Sequence, residues 1–156
     1  MINPDANAAA GVYWQNALQG YKKSLKYYDI GGFTTYNLNH LTHGLAPFTP
    51  LTYHNHHLAL LNALMWATGD PVFTKYWKLW KNYVDTQSPI RPIHGDVNGD
   101  GLVTQADVTL AQSLVGQLPS SWTLQQLVAT DLDDDGYITS ADIPLIQASA
   151  NQFRAK

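Results

Sequence analysis

The chain of 156 residues has no cysteine and no glutamate. Without cysteine it forms no disulfide and offers no thiolate for catalysis or metal binding. Without glutamate, all twelve of its acids are aspartate. No apolar run is long enough to cross a membrane, so no membrane span is expected. The start, Met1-Ile-Asn-Pro-Asp5, has neither the basic residues nor the apolar stretch of a secretory leader. If the protein acts outside the cell, the export signal is expected on a longer precursor. Net charge is −3, and no nucleic-acid partner is expected. Hydrophobic residues make up 45% of the chain, enough for buried cores.

The charge that is present is unevenly divided. Residues 1–93 hold seven Lys/Arg and four Asp, a balance of +3, and residues 94–156 hold two Lys/Arg and eight Asp, a balance of −6. Seven of the twelve aspartates sit at the ligand positions of two twelve-residue stretches of one pattern, Asp96–Asp107 and Asp131–Asp142. Each has Asp at position 1, Asn98 or Asp133 at 3, Asp100 or Asp135 at 5, Gly101 or Gly136 at 6, and Asp at 12. This is the ligand spacing of an EF-hand calcium loop. Calcium takes six to eight oxygens at roughly 2.3–2.6 Å, and a chain wraps it by turning alternate side chains inward. The glycine at position 6 allows the sharp bend. Position 7 gives a carbonyl, so Leu102 and Tyr137 differ freely. Position 9, Thr104 or Thr139, holds a water. The expected ligands of two calcium ions are thus Asp96, Asn98, Asp100, Leu102, Thr104 and Asp107, and Asp131, Asp133, Asp135, Tyr137, Thr139 and Asp142. Position 12 is usually Glu, and here it is one methylene shorter in both loops. Position 8 is β-branched in both (Val103, Ile138), which predicts that the loops face each other through a short strand contact. Without calcium the clustered carboxylates repel and open this part of the chain.

Each loop runs into a helix start of the form Thr-x-x-acid, Thr104–Asp107 and Thr139–Asp142. Apolar residues follow at Val108, Leu110, Leu114 and Val115, and at Ile143, Leu145 and Ile146. No helix is expected to enter either loop. The segment 88–95 carries prolines, and 116–130 reads as a linker. Pro144 removes a backbone donor and is expected to weaken the second helix. Two loop–helix calcium repeats joined by a linker resemble a dockerin domain, over residues 95–153. The resemblance implies a non-catalytic, calcium-folded module that binds a cohesin domain of a scaffold or partner protein. Matching the family's contact face places cohesin at Gln105, Ala106, Gln112 and Ser113 of the first repeat and at Ser140, Ala141, Gln147 and Ala148 of the second. The likeness of the two faces is compatible with binding in two orientations. Many dockerins carry Ser-Thr and Lys-Arg pairs here and this chain does not, so a particular cohesin is not implied.

Residues 1 to about 85 are aromatic and helical in pattern. Apolar residues at Val12, Trp14, Leu18, Tyr21 and Leu25 predict a helix over Ala8–Tyr28, stopped by Gly31-Gly32. Residues 33–52 are irregular. A second helix is predicted over Thr52–Trp66 with Gly69 as its stop. A third is capped by Asp70, starts at Pro71 and runs to about Val84. Ser24–Asp29, Thr35–His40, Gly44–Pro47 and Tyr53-His54 resemble the C-terminal end of glucuronyl epimerases, which invert carbon 5 of uronic acids in polysaccharides. The resemblance covers about residues 12–84. It implies the end of an α/α barrel, and it puts Tyr36 and Tyr53 on tyrosines with a proposed catalytic role. Inversion removes a proton beside a carboxylate and returns one to the opposite face, so it needs two acid/base groups.

The expected fold is therefore all-α. Residues 1–87 form a helical domain, 88–94 a linker and 95–156 a dockerin. The leading function is a calcium-dependent module that binds cohesin and tethers a polysaccharide-modifying domain, secreted or at the cell surface. The rival is a uronic-acid 5-epimerase, active on a polysaccharide only in a longer precursor. A third reading has the dockerin capping its neighbour across a short, stiff linker. His40, His43, His54, His56 and His57 have zinc-like spacing. No acid lies between residues 30 and 69, and the alternation at 53–56 spreads the rings over several faces. They read better as cleft or helix-start histidines.

Overall fold

The computed structural model describes residues 4–86 and 93–154. Among them are seven α-helices and no strand, the all-α fold expected. Helix α1 spans Pro4–Tyr28, α2 Asn39–Thr42, α3 Leu51–Thr68, α4 Pro71–Thr86, α5 Gln105–Leu114, α6 Leu124–Thr130 and α7 Asp142–Arg154. The stop and start signals between α3 and α4 act as read. Gly69 caps α3 with φ 66°, a left-handed conformation that costs glycine nothing. The Asp70 carboxylate then accepts from Val72 N–H at 3.0 Å, and Pro71 opens α4 where no donor is needed.

Two cores form. The first gathers Leu25, Leu61, Val72, Phe73, Tyr76, Leu79, Trp80 and Tyr83, with α4 at its centre between α1 and α3. It does not cover all of α1. Val12 is 60% and Trp14 49% exposed, so the apolar stripe read as one buried face packs only from Leu18 onward. Periodicity defines a face, but burial needs a partner opposite, and the described residues supply one only to the second half. The irregular stretch after α1 is pinned by a bridge between Asp29 and Thr34.

The second core comprises Val97, Val103, Val108, Ala111, Leu114, Ile138, Ile146 and Ala150. Val103 and Ile138 both belong to it, but no strand bridge joins them; the bridge at Asp29–Thr34 is the only one among the described residues. Leu145, expected inside, is 41% exposed, and Ala150 takes its place in the core.

The segment 116–130 is not a plain linker. It holds a 3-10 turn at Pro119–Ser121 and then α6, which runs directly into loop two. The expectation that no helix enters either loop therefore fails at loop two. Its cause is a capping box: Thr123 accepts from Gln126 N–H and Gln126 reaches back to Thr123 N–H, closing two open donors of a short helix. At loop one, Ile93–Gly95 are not helical and residues 87–92 lie outside the described residues. Pro144 lies in the first turn of α7, which starts later after its loop than α5 does. α5 starts one residue after its cap Thr104, whereas α7 starts three after Thr139, because Pro144 has no N–H for the Ser140 carbonyl.

Candidate calcium loops and their docking face

Short-range hydrogen bonding builds the two loops alike. In loop one, Asp96 Oδ1 accepts from Gly99 and Asp100 N–H at 2.8 and 3.1 Å, and Oδ2 accepts from Gly101 N–H at 2.9 Å. In loop two, Asp131 Oδ1 accepts from Asp135 N–H at 3.0 Å and Oδ2 from Gly136 N–H at 2.9 Å. The twelfth residue closes each loop. Asp107 accepts from Val97, Asn98 and Thr104 N–H, and Asp142 accepts from Leu132, Asp133 and Thr139 N–H. Both are fully buried. Each short carboxylate thus ties the loop's first residues to the cap of the next helix, and Thr104–Asp107 forms a full capping box.

Backbone strain sits where the ion geometry wants it. Gly101 and Gly136 at position 6 both have φ 89°. Position 4 is left-handed as well, with Gly99 at φ 76° and Asp134 at φ 64°, the one positive-φ residue other than glycine among those described. In loop two, oxygens of Asp131, Asp133 and Asp142 lie within 4.8 Å of one another. Burial raises the Asp131 carboxyl to about 6, even against the Lys75 ammonium beside it. Burial, then the charges of Asp142 and Asp135, raises Asp133. Carboxylates gathered this closely favour a cation, and the all-oxygen donor set suits a hard one. Asp100 and Asp135 are exposed and receive Leu102 and Tyr137 N–H at 2.9 and 2.8 Å. Leu102 and Tyr137 keep their side chains outside, as residues contributing only a carbonyl would.

The proposed cohesin positions are open. Gln105, Ala106, Gln112, Ser113, Ser140, Ala141 and Ala148 are exposed and Gln147 is half-buried. Each set lines the start and outer face of its repeat's helix, α5 or α7.

In the N-terminal part, Tyr36 and Tyr53 are brought together, with ring centroids 4.2 Å apart and an edge-to-face tilt of 62°. Phe48 and His56 pack against the pair. The hydrogen bond to Tyr36, then its charge, raises the Tyr53 hydroxyl above its ordinary value. Both side chains remain exposed. The histidines do not form a metal cluster; among the described residues the one carboxylate or imidazole group of that kind is in loop two. His54 is fully buried, with Nδ1 on Thr34 and Nε2 on the Trp80 carbonyl, so neither nitrogen is open to a metal.

Three residues of consequence escape a local reading of the sequence. Lys75 Nζ donates to Asp131 Oδ2 at 2.8 Å and to Asp134 Oδ1 at 2.7 Å, and Tyr76 Oη donates to Asp134 at 3.0 Å. Burial lowers the Lys75 pKa, and the two carboxylates more than reverse it. Two signals were in the sequence: a lysine within the apolar face Val72, Phe73, Tyr76, Leu79, and an aspartate where loop one has Gly99.

Compared with known families, residues 2–82 match the D-glucuronyl C5-epimerase C-terminus and residues 94–149 match the dockerin type I domain. Dockerin type I domains bind calcium. No solved structure matches the chain.

Proposed function

Because the chain belongs, over just more than half its length, to the D-glucuronyl C5-epimerase C-terminal family and carries a dockerin type I domain behind that part, we propose that it tethers a polysaccharide-modifying domain to a cohesin-bearing scaffold or partner. Two calcium ions set the shape. Loop one holds its ion through Asp96, Asn98, Asp100, Asp107, the Leu102 carbonyl and a water on Thr104. Loop two does so through Asp131, Asp133, Asp135, Asp142, the Tyr137 carbonyl and a water on Thr139. In this reading residues 1–87 are the helical domain, the end of an α/α barrel, 88–94 the linker and 95–156 the docking module. The observation that carries it is the twin hydrogen-bond pattern of Asp96/Asp107 and Asp131/Asp142 beside exposed helix faces. Cohesin would meet Gln105, Ala106, Gln112 and Ser113, or Ser140, Ala141, Gln147 and Ala148. The setting is extracellular or cell-surface, as is typical of dockerins.

The test is capture on a cohesin panel with and without EDTA. Capture lost on chelation and restored by calcium supports the reading. Capture indifferent to chelator, or absent from every cohesin of the same source, overturns it.

The pairing of Tyr36 with Tyr53 favours a second reading, in which these phenols serve uronic-acid 5-epimerisation within a longer protein. Deuterium incorporation at carbon 5 of a uronic-acid polymer, lost in Tyr53→Phe, would support it. No incorporation by a full-length precursor would remove it.

A further inference from the structure

Loop two has two sides. Oxygens of Asp131, Asp133 and Asp142 gather within 4.8 Å of one another on one side, while Asp131 Oδ2 accepts from Gly136 N–H and the Lys75 ammonium. Asp134, which is no ligand position, is held by Lys75 and Tyr76 in a backbone conformation that aspartate rarely adopts. Beside it the chain backbones nearly touch. A Cβ at Gly136 would lie 2.7 Å from Pro71 C and Val72 N, so the sixth position must be glycine for this contact as well as for the bend. Val128 completes the first core and Leu124 packs against it, so α6 and loop two form one continuous face on α4. Among the described residues loop one has no counterpart: Asp96 and Asp107 accept from their own loop and cap. The asymmetry lies between repeats that are otherwise alike. The cohesin-facing positions stay exposed while this contact is made.

We propose that loop two is a calcium-dependent latch: its inner oxygens hold the cation and its outer oxygens hold α4, so calcium in this loop keeps the two parts of the chain docked. The proposal rests on the calcium reading above. Its physical basis is shape. Lys75 and Tyr76 find their acceptors only while residues 131–136 keep the bend that the cation stabilises. Ion loss lets the carboxylates repel and moves Asp134 and Gly136 off α4. The Lys75–Asp134 pair is neutral as a unit, so it adds little net field at the ion.

Small-angle scattering of the whole chain tests this, with circular dichroism to confirm that helices persist. The docked chain should give a radius of gyration of about 15 Å. The latch predicts this in calcium and a value several ångströms larger after chelation. Asp135→Asn, which weakens loop two without touching the latch, should open the chain at calcium levels that keep Asp100→Asn closed. Lys75→Met should open it in full calcium while two ions and cohesin capture are retained. A chain equally compact with and without calcium, or equally sensitive to Asp100→Asn and Asp135→Asn, overturns the latch. Cohesin capture, scored separately, shows whether the tethering reading falls with it.

Discussion

The Nε2 of His54 lies 3.1 Å from the carbonyl oxygen of Trp80, and its Nδ1 lies 3.2 Å from the backbone nitrogen of Thr34. That pairing fixes the tautomer. The Thr34 N–H donates to Nδ1, so the proton sits on Nε2 and donates to Trp80. A second proton on Nδ1 would face a donor.

His54 therefore resists protonation. Burial lowers its pKa first, opposed by the Trp80 carbonyl and by the charge of Asp29. His57 is lowered in the same sense, by burial and then by its histidine neighbours. A depressed folded-state value means that stability is present above the unfolded value of about 6.5 and is lost as pH falls through the folded one. Two-dimensional NMR titration should place His54 below 6.5. Melting of the first core should shift to lower temperature between pH 7 and 5. A His54 resonance that titrates above 6.5 would contradict the assigned hydrogen bonds.

Asp29 accepts Trp80 Nε1–H at 3.0 Å, Tyr83 Oη–H at 3.0 Å and Gly31 N–H at 2.8 Å. Trp80 is 1% exposed. Asp29→Ala strands the indole donor in the core, a cost of about 1–3 kcal/mol. Asp29→Asn keeps an acceptor there and should recover part of it. Denaturant midpoints of the two variants, followed by tryptophan fluorescence, test the order.

Pro144 offers a gain. Pro144→Ala returns an N–H to the Ser140 carbonyl and should let α7 start near Ser140, as α5 starts at Gln105. The expected effect is about 1 kcal/mol of added stability and a few degrees in melting temperature. Conversely, Thr123→Ala breaks the capping box of α6 and should cost about 1 kcal/mol. Calorimetry in saturating calcium distinguishes both from unchanged protein.

The two exposed docking faces give a further expectation. Ala106→Asp alone and Ala141→Asp alone should each leave cohesin capture largely intact, because the other repeat still binds. The double variant should reduce affinity at least tenfold, about 1.4 kcal/mol. Surface plasmon resonance against a captured cohesin measures this. A full loss from one single variant would mean that a single orientation is used.

Local chemistry was the most legible part of the sequence. The two aspartate loops are written in spacing, since every proposed ligand lies within twelve residues, and Gly69 with Asp70-Pro71 marks the α3–α4 corner to within two residues. α6 was missed because a seven-residue helix carries little periodicity; only Thr123 and Gln126 announce it. The first half of α1 was misjudged for a different reason, since an amphipathic stripe does not say what covers it. The Lys75 contacts join residues 56 and 59 positions apart, and no local pattern encodes such a pairing.

The close approach of Gly136 to Pro71 bears on portability. Dockerins invite transplantation, since a docking module can be cut from one protein and fused to another. This one would travel with unfinished business. Asp134 would keep a conformation usually reserved for glycine, while the lysine and tyrosine that hold it stayed behind on α4. A chimera built at the linker should therefore be repaired by Asp134→Gly, which copies the solution already present at Gly99.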